Sequence, residues 1–208
     1  MVRSLCAATV NTCTIPGAHM QPNRHLINWL DTNLPIYFKD FNESRGQGKR
    51  ALVVGCGLGD DAEALAQRGF SVTAFDISPH AILWCQQRFP SSRVNYVVAD
   101  LFESPREWNG AFALVVEIDT LQVVPPPLRP TAIAAIARYV ANDGLLLVIA
   151  RGREEHEDIG HLPWPLSRAE LQLFAQTDLE QISFEEFYDD ETLLIRRFKV
   201  LYRKHGAR

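Results

Sequence analysis

The stretch Gly55-Cys56-Gly57-Leu58-Gly59-Asp60-Asp61 sets three alternating glycines directly before two carboxylates. Alternating glycines let a turn take positive φ and bring its backbone close to a ligand. Nucleotide-binding turns between a strand and a helix use them in this way. A dinucleotide fingerprint, G-x-G-x-x-G, would need glycine at position 60, where Asp60 stands. Two negative charges about 4 Å apart repel by about 4 kcal/mol at an effective dielectric of 20, so this turn suits a diphosphate poorly. A ligand with an ammonium group and no phosphate suits it better. S-adenosylmethionine has that chemistry: an amino acid at one end, a nucleoside at the other and a sulfonium between. Asp76 closes the run SVTAFD, where an acid at a strand end can accept from both ribose hydroxyls. Asp100 closes VNYVVAD and can accept from an adenine amino group, with Leu101 or Phe102 packing the ring. Glu117, at the end of FALVVE, faces the same crevice. Taken singly, Asp76 could cap a helix and Asp100 a turn; the set in order at strand ends points to a cofactor site.

The elements that must carry these residues alternate from residue 50 onward. RALVVG is a continuous apolar run of the kind found in a strand covered on both faces. DAEALAQRG follows with helical spacing and a terminal glycine, Gly69. SVTAFD, VNYVVAD, FALVVE and GLLLVIA read as further strands. SPHAILWCQQRF and PLRPTAIAAIARYV read as helices, the first with Ser78 as N-cap and Pro79 at its first position. The alternation predicts parallel strands with right-handed crossovers and helices on both sheet faces, an α/β doubly wound fold. SRAELQLFAQ reads as a short capped helix. EQISFEEFY and TLLIRRFKVLYRK, separated only by DDE, read as an antiparallel hairpin at the sheet edge. PNRHLINWLDTNL reads as a helix before the core with Leu26, Ile27 and Leu30 on one face. Residues 1–20 lack periodicity and are set apart as an N-terminal segment free to move. Residues 21–208 are expected to form a single domain.

The bulk numbers narrow the partners. A chain of 208 residues with 47 % apolar residues can build one sizeable core. A net charge of −4 argues against a nucleic-acid binder, and no apolar run approaches the roughly 18 residues of a membrane span. No secretory signal is read at the start, so a cytoplasmic location is expected. Cys6, Cys13, Cys56 and Cys85 show no C-x-x-C pair and no histidine at metal-ligand spacing, so no metal is expected. Cys56 and Cys85 are read as small buried packing residues.

ALVVGCGLGDDAEALAQRGFSVTAFDIS, VVADLF, FALVVEIDTLQVVPPPLR, DGLLLVIA and LPWPLSRAEL together resemble class I S-adenosylmethionine-dependent methyltransferases. Within them the look is nearest to the thiopurine, thiol and halide branch, on Pro126, Pro127 and Arg129 in PP-x-x-R and on the PWPLS loop. The resemblance implies a Rossmann-like methyltransferase fold with a seven-stranded, mostly parallel sheet of order 3-2-1-4-5-7-6, strand 7 antiparallel. It also implies that Gly55, Cys56, Gly57 and Gly59, with Asp60 and Asp61, surround the methionine moiety. Asp76 and Ile77 would lie at the ribose, Asp100, Leu101 and Phe102 at the adenine, and Glu117 and Ile118 near the methionine end. The chain departs from the branch in a short N-terminal lid with Trp29 as its single tryptophan. It departs again at Ile118-Asp119-Thr120, where an aromatic hydroxyl is common; Asp119 facing the pocket would repel a halide.

The implied reaction is methyl transfer to a small molecule, S-adenosylhomocysteine being the product, by a monomer or weak homodimer. A sulfur acceptor is favoured, because a thiol needs little help from a base. Oxygen or nitrogen acceptors remain the alternative, with Asp119, Glu117 and His161 as candidate bases. His25 and His19 are placed similarly and carry less weight. Trp29, Trp164 and His161 are expected around the acceptor. A cofactor-binding protein without turnover is the reading from another class.

Overall fold

The computed structural model describes residues 20–38, 48–189 and 194–206. The expected N-terminal segment, except Met20, lies outside these residues, as do Cys6, Cys13, His19 and most of the turn joining the terminal hairpin.

Each parallel unit follows the pattern of its sequence. The strands β1 (Arg50–Val54), β2 (Ser71–Asp76), β3 (Asn95–Val98), β4 (Phe112–Ile118) and β5 (Val140–Arg153) alternate with α2 (Asp60–Gln67), α3 (Pro79–Arg88) and α4 (Arg129–Tyr139), except that β3 runs on to β4 through a loop holding only the short 3-10 turn Arg106–Trp108. The two-residue β6 (Leu166–Ser167), α5 (Arg168–Gln172), β7 (Leu179–Asp189) and β8 (Ile195–Lys204) complete the chain. The sheet order is β3-β2-β1-β4-β5-β8-β7, with β6 paired to β5. Setting β6 aside, this is the expected 3-2-1-4-5-7-6. β8 runs antiparallel to both β5 and β7, as a hairpin without a crossover helix requires.

Period-two alternation sends successive side chains to opposite faces and splits the core in two. Leu114 and Val116, with Leu145, Leu147 and Ile149, meet the layer holding Leu26, Leu30, Leu65 and Ile82. Val115, Leu146, Val148 and Ala150 meet Ile133, Ile136 and Tyr139 on the other face. ANDG falls within β5: Asp143 takes φ +60°, and the β4–β5 register shifts there instead of ending the strand.

The helix before the core, α1 (Arg24–Tyr37), begins as its sequence suggests: Asn23 caps it, its side chain accepting from the amides of His25 and Leu26. Its buried face is Leu26, Trp29 and Leu30. That corrects the expectation for Trp29. The indole lies in the core, 3 % exposed and stacked on Tyr37 with centroids 6.4 Å apart, because the helical period carries position 29 onto the same inward face as 26 and 30.

Candidate active site

The carboxyl ends of β1, β2 and β4 open into a cleft of about 850 Å³, also bordered by residues 20–25, Asp189 and Arg197. Ligands of doubly wound sheets bind in such a crevice. The glycine turn forms its floor. Gly55, Gly57 and Gly59 all take positive φ, at +59°, +51° and +89°. At Gly55 an added Cβ would lie 2.3 Å from Thr120 Oγ1, and at Gly59 it would lie 2.7 Å from the Tyr96 hydroxyl. At Gly57 it would meet nothing within 4 Å, so that position is open to the cleft.

The two acids after the turn have separate fates. Asp60 is bound by Arg88 through two bonds of 2.8 Å, and the same guanidinium donates to Leu58 O at 2.7 Å. Its charge is thereby neutralised by α3. Asp61 accepts from the Asn23 amide at 2.6 Å, and burial pushes its carboxyl up to about 6. The exclusion of a diphosphate therefore rests on Asp61 and not on the pair. Asp76 accepts from Gly57 N at 3.0 Å with one oxygen and from Ser78 N at 2.9 Å with the other, which leaves lone pairs on both. Asp100 accepts from Phe102 N at 2.8 Å, and Ile77 and Phe102 stand exposed beside it on the cleft wall. Cys56, Leu101 and Ile118 also line the cleft. The hydrogen bond between Cys56 and Cys85, together with burial, holds the Cys56 thiol far above its usual range, so it supplies no thiolate.

Glu117 does not reach the cleft. It is fully buried and absent from the lining, its Oε1 accepting from Thr120 N and Leu121 N at 2.8 Å each, and burial pushes its carboxyl up to about 8. Its neighbour along the strand end, Asp119, does line the cleft, at φ +60° and hydrogen-bonded to Gln122 Nε2 and, at 3.0 Å, to Arg197 Nη1.

The acceptor loop differs most from expectation. His161 is exposed and Trp164 half-buried, and neither lines the cleft. The Trp164 amide donates to Gln122 O at 2.8 Å, and its carbonyl accepts from Arg129. Arg129, 1 % exposed, also binds Val124 O and the Glu170 carboxylate, while Glu170 accepts from Arg153 and from the Ser167 amide. The PP-x-x-R and PWPLS motifs are thus two halves of one structural clasp. In place of that loop the cleft is closed by Asn23, Arg24, Asp189 and Arg197, which the sequence did not single out, and by His25, to which it gave less weight. Asp189 and Arg197 come from the edge hairpin. Their only advance sign is that a hairpin at this position must deliver its turn end beside the strand termini.

The fold is that of class I S-adenosylmethionine-dependent methyltransferases. Residues 51–144 match the family described as a methyltransferase domain. Among curated proteins, the ubiquinone biosynthesis O-methyltransferase of Pseudomonas aeruginosa (strain LESB58) is 32 % identical over 120 residues, covering 57 % of this chain and 47 % of the relative. The protein of the same name in Dechloromonas aromatica is 30 % identical over 144 residues, covering 66 % of this chain and 57 % of the relative. The chain spans about half the length of these curated relatives. Among solved structures, a SAM-dependent methyltransferase from Methanosarcina mazei superposes with TM-score 0.68 at 18 % identity, covering 82 % of this chain and 97 % of that one. A 1,6-didemethyltoxoflavin-N1-methyltransferase from Burkholderia thailandensis, solved with 1,6-didemethyltoxoflavin and S-adenosylhomocysteine, gives 0.64 at 18 % identity, covering 86 % and 81 %.

Among the described residues, no group of three or more potential metal ligands gathers, and no helix is long and apolar enough to cross a membrane.

Proposed function

We propose that this chain transfers the methyl group of S-adenosylmethionine to a hydroxyl oxygen of a small molecule. The observation that carries the reading is the cleft itself: a positive-φ glycine turn, open at Gly57, runs into Asp76 at one end and a charged chamber at the other. The residues present fit the cofactor. Asp76 retains lone pairs for the ribose hydroxyls, Ile77 and Phe102 offer apolar surface for the adenine, and Asp61 supplies a carboxylate for the ammonium group. When bound, the cofactor supplies a methyl group already activated by its sulfonium. The protein orients and dries the reactants so that the nucleophile approaches in line, at about 3 to 3.5 Å from the methyl carbon.

Oxygen takes the place of the expected sulfur for two reasons. The motifs behind the branch resemblance form a clasp away from the cleft. The curated relatives described above carry O-methyltransferase names.

Incubation of the full chain with isotopically labelled S-adenosylmethionine and a panel of phenols, catechols, thiols and amines tests this reading. Labelled aryl ethers are expected. Labelled thioethers alone would reverse the choice of acceptor atom. Binding of S-adenosylhomocysteine with no product on any acceptor would leave a cofactor-binding protein without turnover.

A further inference from the structure

An oxygen acceptor, unlike a thiol, is mostly protonated at neutral pH and needs a base within reach. The titratable groups around the cleft sort by what holds them. Asp60 is bound by Arg88, Asp76 and Asp100 stand at the nucleoside end, and Asp61 stands beside the glycine turn at the ammonium end. Asp189 is shared by Arg24, His25 and Arg197, with its side chain 3 % exposed. Glu117 and His161 do not line the cleft. Asp119 lines it with a side chain 37 % exposed.

The backbone is bent to bring Asp119 there. β4 ends at Ile118, and in an unbroken strand position 119 would share the face of the buried Glu117. Asp119 instead takes φ +60°, a left-handed conformation that aspartate adopts more readily than most residues, and its amide donates to Ile149 O at 3.1 Å. Ile118, Asp119 and Thr120 then all line the cleft. Thr120 Oγ1 donates to Val54 O at 2.9 Å, so this stretch abuts the start of the glycine turn. The Asp119 carboxylate is held from two sides. Gln122 Nε2 donates to Oδ1, and Gln122 is fully buried, its own side-chain oxygen accepting from Arg151 N at 3.0 Å. Arg197 Nη1 donates to Oδ1 at 3.0 Å and lies 3.3 Å from Oδ2. A carboxylate has about four lone-pair sites, so these two donors leave room for another.

We propose that Asp119 is the general base that takes the proton of the acceptor hydroxyl. This rests on the oxygen reading above. The acceptor hydroxyl donates to the Asp119 carboxylate, which turns an oxygen lone pair toward the methyl carbon beside the glycine turn. That lone pair forms the new bond while the carbon–sulfur bond breaks and leaves its electron pair on sulfur. The hydroxyl proton passes to the carboxylate as the oxygen becomes acidic in the transition state, and it leaves to water once the ether departs. Val123, Val124 and Pro125, which also line the cleft, offer apolar surface to an aromatic ring.

The test compares phenols of graded acidity in the full chain at saturating cofactor. Asparagine also tolerates a left-handed backbone and keeps an oxygen for Arg197 and Gln122, so Asp119→Asn preserves the site and removes its basicity. With a weakly acidic phenol, Asp119→Asn is expected to lower kcat by about 100-fold or more, the range of general-base catalysis. With a ring-nitrated phenol already ionised at the assay pH, kcat should fall far less, because no proton remains to be taken. Glycine fits the same backbone and leaves space for a small carboxylate. Added formate should therefore restore part of the turnover of Asp119→Gly with the weakly acidic phenol alone. Equal loss for every phenol, no loss for any, or no response to formate would overturn the role of Asp119 and leave oxygen methylation standing. Failure of the unsubstituted protein to methylate any phenol would overturn both.

Discussion

At the scale of single residues, the three glycines of the turn are not equivalent. Gly55→Ala adds a Cβ 2.3 Å from Thr120 Oγ1, whose hydroxyl donates to Val54 O at 2.9 Å and ties β1 to the stretch after β4. Gly57→Ala meets open space and carries only the cost of a left-handed residue, about 1–2 kcal/mol. Thermal denaturation should therefore show a larger loss for Gly55→Ala than for Gly57→Ala; equal losses would mean that Thr120 yields freely. Glu117 carries the second prediction at this scale. A glutamate in an unfolded chain titrates near 4.3, and burial raises the folded value to about 8. Between those pH values the folded protein keeps a proton that the unfolded chain has released. Stability must then fall as pH rises through that window, by an amount of the order of a few kcal/mol. Glutamine can accept from the Thr120 and Leu121 amides through its own oxygen and cannot ionise. Glu117→Gln should flatten that decline, gaining on the parent protein more at pH 9 than at pH 5 in melting temperature. A difference independent of pH would show that Glu117 does not carry the shift.

At the scale of elements, the clasp around Glu170 joins the start of α4, the end of β5 and the capping box of α5. Arg129 is 1 % exposed, so its charge depends on Glu170 and on the carbonyls of Val124 and Trp164. Breaking a buried pair by removing one partner strands the other, at about 3–5 kcal/mol. Glu170→Ala should lower stability to denaturant by that order, and Glu170→Gln by less, since its amide oxygen still accepts from Arg129. Indistinguishable losses would mean that the charge is immaterial. The same clasp explains where the sequence misleads. Strand and helix positions could be read because they depend on local periods: the alternation in β4 and β5, Ser78 before α3, Ser167 and Glu170 around α5. The cofactor end of the cleft shares that legibility, since Asp76 and Asp100 sit at or next to the ends of β2 and β3. The acceptor end does not. Asp189 and Arg197 reach it through the pairing of β7 with β8 and of β8 with β5, where Arg197 stands opposite Phe187 and Arg151. Nothing local to 189 or 197 states that register. Trp29 shows the converse: a tryptophan before the first strand suits a lid or a core, and only the packing of α1 on the sheet decides between them.

At the scale of the whole molecule, the cleft is assembled from segments far apart in the chain: residues 20–25, the glycine turn, the ends of β2 and β4, and the edge hairpin. A ligand that fills it must bind the folded state and not the unfolded chain, so occupancy becomes global stability. At a ligand concentration 100 times Kd the gain is about 2.7 kcal/mol. For a chain of this length, each kcal/mol raises the melting temperature by about 2–4 °C, so saturation with S-adenosylhomocysteine should raise it by about 5–10 °C. NADH puts the argument about the turn at risk. With Asp60 neutralised by Arg88, only the half-buried Asp61 carboxylate beside the glycines stands against a diphosphate. If that opposition suffices, NADH at millimolar concentration leaves the melting temperature where it was. Asp61→Asn then separates the two contributions. It should reduce the shift from S-adenosylhomocysteine, whose ammonium group loses its partner, and admit a shift from NADH, because the remaining acid, Asp76, is placed for a ribose and not against the phosphates. A rise with NADH in the parent protein, equal to that with S-adenosylhomocysteine, would overturn the assignment of the turn to an amino-acid tail.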